Sequence, residues 1–300
     1  MVAAISNAFI NDANRMEELP TKAIERFLRT GEHDAHFGVW PGDNFLACAQ
    51  HGDAALRGAL ISTVCKRTPR AIVPAALLAR NVIAITRTKV APMVRGLFPQ
   101  GEQEIVLDVL GRSVVLLTPD TIATVIGETR WLHTAWDLAN LYLASVGAEL
   151  LAEDAPQIVG LSEETTCYVS ADYFCAQNRF DDYLVHEAAH IFHNCKRATI
   201  GLRQSRGREW LLEIDFGKRE TFAHACEAYS CILGSGASPP ARRLLLAELE
   251  QGAMPVDERV DADEYVDILR EAVTARNGWK RILARCSPPS PARRRGLGAA

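Results

Sequence analysis

The sequence predicts a mainly helical α+β fold, and three observations lead to that prediction. Apolar residues recur at helical spacing over long stretches, most clearly over Glu128–Leu151. Two shorter segments, Glu104–Leu117 and Thr165–Phe174, are rich in β-branched and aromatic residues and favour strands. The 300-residue chain is 48% hydrophobic, so it can bury a full core, and wholesale disorder is excluded.

Charge and hydropathy exclude several classes of protein. The net charge is −4, so nothing indicates a nucleic acid or an anionic membrane as partner. The most apolar window, residues 71–86, is interrupted by Pro74, Arg80 and Asn81, so its uninterrupted apolar run is too short for a membrane-spanning helix. The N-terminus lacks a basic leader before its short apolar run. We therefore expect a cytoplasmic protein, while secretion without a classical signal stays compatible with the sequence.

The cysteine pattern indicates free thiols. Eight cysteines occur without any CxxC pair, which argues against a zinc ribbon and against a thioredoxin-type redox site. Cys195 and Cys226 lie near the motif described below, but we expect buried thiols in a reducing compartment rather than a disulfide.

The elements are predicted in chain order as follows. The first hundred residues mix short helical patterns with loops and contain no motif that indicates chemistry. Glu104–Leu117 is predicted as a hairpin around a Gly-Arg-Ser break, and Glu128–Leu151 as one long buried helix. After the strand Thr165–Phe174, Asp181 or Asp182 is expected to cap a helix that runs to about Cys195.

The last third is predicted to be helical. A basic loop (202–209), a short strand (210–214) and a turn (215–217) precede a helix from Lys218 to the Gly-rich segment 234–240, and helices follow at about 240–251 and 262–284. We expect three regions: an N-terminal region of unknown role (1–100), a functional domain with C-terminal helices (101–286) and a disordered tail (287–300).

The most informative motif is HExxH, formed by His186, Glu187 and His190. Residues four apart share one helix face, so both imidazoles can reach one tetrahedral Zn²⁺ while the glutamate projects toward the open coordination position. Such a carboxylate can accept a proton from metal-activated water and deliver it to a leaving amine. The motif therefore predicts metal-assisted hydrolysis with Glu187 as general base.

A catalytic zinc needs a third protein ligand, and the helix after Lys218 offers several. Glu220, His224 and Glu227 lie on one face of it, at i, i+4 and i+7. One of the three is expected to bind the metal. His193 lies one turn beyond His190, about 10 Å along the helix from His186. It is therefore expected to orient a ligand or to lie at the surface rather than to act as a fourth ligand.

These two segments resemble the gluzincin group of zinc metallopeptidases over about residues 160–235. The pattern from Glu220 to Glu227, E-x-F-A-x-x-x-E, is similar to the third-ligand helix of M1-type aminopeptidases and to the glutamate-bearing helix of ImmA/IrrE-like peptidases. The resemblance implies a zincin-like metallopeptidase core with a small sheet and an active-site helix. It implies Glu220 as the third ligand, with Glu227 and His224 orienting the zinc histidines or serving as alternative ligands.

The chain departs from that family in some features. The 29 residues between His190 and Glu220 are more than in the thermolysin and M1 types, and the exopeptidase motif is incomplete. No transition-state stabiliser is fixed by the resemblance, and Tyr229, Tyr265 and His224 are the candidates.

We therefore expect a zinc-dependent metallopeptidase that acts on a peptide or protein substrate. A non-catalytic or regulatory binding protein that keeps a peptidase-like zinc site is one alternative, and a zinc hydrolase of a non-peptide amide is another. The strand Thr165–Phe174 is predicted to be an edge strand to which an extended peptide could add. Arg203, Arg206 and Arg208 could favour acidic side chains near the cleft, although a solvated loop is the simpler interpretation.

Overall fold

The computed structural model describes residues 19–68, 81–155, 160–170, 179–204, 207–252 and 254–289. Its chain divides into two compact units. The first comprises Met1–Leu78, Leu116–Val159 and Ser170–Asp172, and the second comprises Ala79–Val115, Gly160–Val169 and Tyr173–Ala300. The division by sequence at residues 100 and 286 stays a prediction, and most of the predicted tail lies outside the described residues.

The described part of the first unit is helical. Residues 19–30 form α1, and three further helices follow, α2 (Phe45–Arg67), α5 (Ile122–Glu128) and α6 (Leu132–Ser145). Buried Leu56, Leu60 and Val64 place one face of α2 in the core. The Trp136 indole of α6 donates to the Leu28 carbonyl of α1 at 3.0 Å, which fixes the contact between those helices.

Seven α-helices are described in the second unit: α3 (Val82–Leu97), α4 (Gln100–Arg112), α7 (Tyr183–Asn194), α8 (Arg219–Ser235), α9 (Pro239–Glu250), α10 (Ala262–Thr274) and α11 (Gly278–Cys286). Helix α7 packs against α8 and α3, and α8 packs against α11. A Cβ at Gly96 of α3 would lie 2.2 Å from Trp279 of α11, so only glycine permits this close packing.

A small sheet completes the fold. It contains β1 (Val114–Leu116), β2 (Gly160–Glu163) and β3 (Thr166–Val169) in the order β1-β3-β2. β2 and β3 form an antiparallel hairpin in which Gly160 faces Val169 and Glu163 faces Thr166. The intervening Glu164 has φ +52°, which a two-residue hairpin loop requires. Helix α7 packs on β2 and β3, so the sheet supports the HExxH helix.

The mainly helical α+β prediction is confirmed at this level, but the hairpin over Glu104–Leu117 is wrong. Most of that segment belongs to helix α4, and only Val114–Leu116 is a strand. The buried residues Val106, Leu107 and Leu110 recur at helical spacing. Their β-branched and aliphatic content resembles a strand, whereas their spacing, which decides burial, is that of a helix.

Three other segments differ from the prediction in their boundaries. The expected helix over Glu128–Leu151 is shortened to α6, because α5 already ends at Glu128 and Gly147 with φ +66° follows the end of α6. The expected helix 262–284 breaks before Asn277, whose side chain caps α11. The expected strand 210–214 reduces to one isolated bridge between Trp210 and Lys196.

Other predictions are confirmed. Helix α7 begins after its N-cap Asp182 and ends before Cys195, and α8 runs from Arg219 to Ser235. The described cysteines are all free thiols. Among the described residues, no helix combines the length and apolar character that a membrane span needs.

Candidate metal centre

The HExxH residues lie on a helix that is buried on almost every side. Leu184, Val185 and Ala189 of α7 are fully buried, and the Asp182 side chain accepts a hydrogen bond from the Val185 N–H at the start of the helix. His186 and Glu187 are each only 7% exposed. Polar side chains at such positions need partners, because an unpaired buried polar group costs free energy.

Each HExxH imidazole is held through its Nδ1 atom. His186 Nδ1 lies 3.3 Å from Glu227 Oε2, and His190 Nδ1 lies 3.0 Å from His193 Nε2. The two Nε2 atoms face each other at 3.1 Å. If both Nδ1 atoms donate, two nitrogen lone pairs oppose each other, and a shared cation or proton is needed to stabilise that arrangement.

Glu220 of α8 completes a triangle with these two nitrogens. Its Oε2 lies 3.4 Å from His190 Nε2 and 3.8 Å from His186 Nε2. Ligands placed about 2.1 Å from a tetrahedral zinc are separated by about 3.4 Å from one another. The spacing of the three donor atoms therefore fits a tetrahedral metal ion, with one coordination position left over.

A second grouping shares two of these residues. His186, Glu220 and His224 offer ligand atoms that lie within 4.8 Å of one another, so this group could hold a metal ion. The His224 ring lies 4.5 Å from the His186 ring, and His224 Nδ1 lies 3.4 Å from Glu227 Oε2. His224 thus stands beside the triangle, on the same face of α8 as Glu220.

The carboxylates at the site divide into two electrostatic classes. Burial raises the pKa of Glu227, but hydrogen bonds from His186 and His224 outweigh it and bring the pKa to about 2. Burial acts in the same direction on Glu220, and there His190, Arg259 and His186 lower the pKa to about 2. Both groups are anionic at neutral pH, as a metal ligand and its support need to be.

Glu187 behaves in the opposite way. Burial raises its pKa, the negative charges of Glu220 and Glu227 add to that effect, and His190 together with a hydrogen bond from Ser162 opposes it. A raised pKa suits a carboxylate that accepts and returns a proton near neutral pH.

Glu187 lies against β2 of the described sheet. Its Cγ would be 3.4 Å from a Cβ at Gly160, and Ser162 of the same strand is its hydrogen-bond donor. Within the described sheet β3 is central, and β1 and β2 are the two outer strands. The prediction that Thr165–Phe174 is an edge strand is therefore wrong for its described residues, because Ser113 and β2 take the hydrogen bonds on its two sides.

The two tyrosines proposed as transition-state stabilisers differ in their surroundings. The Tyr229 ring packs 4.8 Å from that of Trp279, and its hydroxyl bonds to the Gly278 backbone. Tyr265 is buried on α10, where burial and then the charge of Glu227 raise its pKa. The structure thus brings His186, His190, Glu220, His224 and Glu227 together, and it places Tyr229 against α11.

Comparisons with protein-family models, with curated proteins and with solved structures find no match for this chain.

Two charged residues at the site, Arg259 and Asp257, were not predicted from the sequence. Arg259 Nη1 lies 3.1 Å from Glu220 Oε1, and the Arg259 guanidinium also holds Asp257 through two contacts of 2.9 and 2.6 Å. Both residues lie in the segment that joins α9 to α10, where no motif or periodicity indicates a contact with α8. Of the basic loop, Arg203 is exposed, and Arg206 lies outside the described residues.

Proposed function

We propose that this chain is a zinc-dependent metallopeptidase with a zincin-like core, in which His186, His190 and Glu220 bind the metal. The observation that carries the proposal is the triangle of donor atoms with sides of 3.1, 3.4 and 3.8 Å on two facing helices. Ion pairing of His186 with Glu227 and of His190 with Glu220 does not by itself account for that triangle, because it leaves the two imidazole Nε2 atoms facing each other at 3.1 Å.

Burial of the site supports a resident ion as well. Glu220 and Glu227 are anionic; Arg259 pairs with Glu220, and the Asp182 N–H donates to the buried Glu227. A divalent cation would balance the negative charge that Arg259 leaves, whereas neutral imidazoles would not. Two imidazole nitrogens and one carboxylate form the ligand set typical of catalytic zinc.

A zinc ion in this position supplies a Lewis acid that polarises a carbonyl and activates water. The chain's own residues supply the proton chemistry. Glu187 accepts a proton from the attacking water and donates it to the leaving amine, and its raised pKa favours this return. Strand β2, which holds Glu187 through Ser162, is one of the two outer strands of the described sheet and offers an edge for an extended peptide.

A zinc-binding protein without catalysis is the second candidate, and the position of His224 favours it. If His186, His190, Glu220 and His224 all bound one ion, the coordination would be closed, as in structural zinc sites. An open site would keep one position for water or substrate.

Metal analysis of four purified proteins tests both candidates: the wild type, Glu220→Ala, His224→Ala and Glu187→Gln. We expect one zinc per chain in the wild type, weakened binding in Glu220→Ala and nearly full occupancy in the other two. A mixed peptide library is then incubated with each protein. Cleavage by the wild type together with its loss in Glu187→Gln supports the peptidase.

Two results would contradict the proposal. Loss of zinc in His224→Ala equal to that in Glu220→Ala would indicate a closed four-ligand site. Failure of the zinc-loaded wild type to cut any peptide would replace the peptidase by the binding protein or by a hydrolase of another amide.

A further inference from the structure

We propose that His193 is a positioning residue that fixes the proton on His190 and thereby presents the His190 Nε2 lone pair to the metal. The inference rests on the proposed function in so far as His190 is a ligand. It adds a residue whose effect passes through His190 rather than through contact with the metal or the substrate.

The geometry places His193 between His190 and Asn194. His193 is 5% exposed, its Nε2 lies 3.0 Å from His190 Nδ1, and its Nδ1 lies 3.0 Å from Asn194 Oδ1. The two imidazole rings are nearly perpendicular at 85°, with centroids 5.2 Å apart. Spacing by three residues on α7 brings both rings to one side of the helix.

The direction of each hydrogen bond follows from the amide oxygen of Asn194, which is the last acceptor in the series His190–His193–Asn194. An amide oxygen can only accept, so Asn194 Oδ1 requires the His193 proton on Nδ1. A neutral His193 then has an unprotonated Nε2, which accepts from His190 Nδ1–H. His190 is left with its lone pair on Nε2, the atom that faces His186 and Glu220.

The opposite hydrogen-bond direction gives the other tautomer of His190. If the amide nitrogen of Asn194 faced His193, the proton would lie on His193 Nε2, and His190 Nδ1 would have to accept it. His190 would then carry its own proton on Nε2 and would be a poor metal ligand in that form. The tautomer of His190 in the metal-free protein therefore decides the proposal.

The support of His190 differs in charge from that of His186. Glu227, an anionic acceptor, orients His186, whereas a neutral imidazole orients His190. The neutral support adds no negative charge to a site that already contains Glu220 and Glu227. A ligand can thus be held in place without further lowering the positive charge available at the metal.

The primary test is nuclear magnetic resonance of the metal-free protein labelled with ¹⁵N-histidine, in which two-bond couplings report the tautomer of each ring. We expect His190 and His193 both to carry the proton on Nδ1. Observation of His190 protonated on Nε2 would overturn the proposal. The measurement needs neither metal nor activity. The assignment uses His193→Gln and His190→Gln spectra.

Zinc affinity provides the second measurement, by competition with a chelator of known affinity. His193→Leu replaces the imidazole acceptor by an apolar side chain, and we expect zinc binding to weaken by about 10- to 100-fold. His193→Gln keeps an oxygen acceptor and should recover most of that loss. The melting temperature of each metal-free variant separates loss of positioning from loss of folding.

Equal zinc affinity in wild type and His193→Leu would also overturn the proposal. His51→Leu, at an exposed histidine of the first unit, serves as the control and should leave zinc affinity unchanged. A wild type that binds no zinc contradicts the proposed function itself, whereas the tautomer measurement still tests the hydrogen-bond direction. The two failures are therefore distinguishable.

Discussion

Buried polar side chains occur both in the first unit and at the candidate metal centre, but their partners differ in kind. In the first unit Arg57, 7% exposed, donates to the Ile126 carbonyl at 2.6 Å and to Asp53 at 2.8 Å. Asn140, 2% exposed, donates to the Trp136 carbonyl and accepts from the Leu151 N–H. Each of these groups is matched by a fixed donor or acceptor of the fold.

At the candidate metal centre, polar groups of two helices face one another. His186 and His190 each direct a ring nitrogen, and Glu220 a carboxylate oxygen, at the same point, within 3.8 Å of each other. Both arrangements carry the cost of burial. The matched polar groups of the first unit stabilise the fold, whereas the convergence of two imidazole nitrogens and a carboxylate oxygen is the feature on which we base the proposal of a bound ion.

The largest expected effect is that of Glu187→Gln on turnover. The amide keeps the shape of the side chain and loses the ability to accept a proton, so cleavage of a confirmed peptide should fall by about 10²- to 10⁴-fold. Because burial raises the pKa of Glu187, removal of its charge should not lower the free energy of unfolding. Initial rates and urea denaturation measure the two effects.

Glu248→Gln is the control for this substitution. Glu248 is an exposed residue of α9 that pairs with Arg179, and its replacement should change neither quantity. Turnover by Glu187→Gln at the wild-type rate would show that another residue is the general base.

Arg57→Met tests the opposite region. It leaves the Ile126 carbonyl without its donor and removes a partly exposed ion pair with Asp53, so the free energy of unfolding should fall by about 2 kcal/mol. Zinc affinity should not change, because Arg57 belongs to the first unit. An equal loss of zinc binding at temperatures where the variant is folded would contradict the comparison.

Glu227→Gln is expected to have an intermediate effect on the metal. The amide group would present a donor to the donating Nδ1 of His186 or of His224, and we expect zinc to bind about 10- to 100-fold more weakly. Chelator competition measures the change. Unaltered affinity would indicate that the orientation of His186 depends on packing alone.

The smallest expected effect concerns pH and His33 of the first unit. Burial, and then the charge of His133, lower the pKa of His33, while Asp53 and Asp34 oppose them. The unfolded chain, with a His pKa of about 6.5, therefore binds the proton more readily, and stability should fall slightly as the pH decreases below that value. His33→Gln should flatten this dependence between about pH 7 and 5 in urea denaturation with a chelator present; an unchanged slope would exclude His33 as its source.

The sequence indicated the site better than it indicated the fold. HExxH and the face of Glu220, His224 and Glu227 are local patterns, since a helix brings residues three or four apart together. The meeting of the two helices followed from the need for a third metal ligand, and the choice of Glu220 among the three followed from a resemblance. Arg259 was missed because its contact with Glu220 joins a loop to a helix, and sequence spacing gives no information on such contacts.

The errors in the fold have a common physical origin. In Gln100–Arg112 the residue types favoured strands, while the spacing of buried residues produced a helix. The centre of the sheet was misplaced because strand order depends on pairing between distant segments, Ser113 with Cys167 for example. Local composition does not determine that pairing.

Arg259 links Glu220 to the segment between α9 and α10. Its guanidinium holds Glu220 Oε1 at 3.1 Å, so Oε2 alone is directed at the two imidazoles. If Glu220 binds the ion, opening of this segment frees the carboxylate to rotate, and by thermodynamic linkage the ion favours the closed segment to the same extent. The rate at which zinc leaves the protein would then be set by the opening of this surface segment. The rate at which an added protease cleaves the segment would measure that opening.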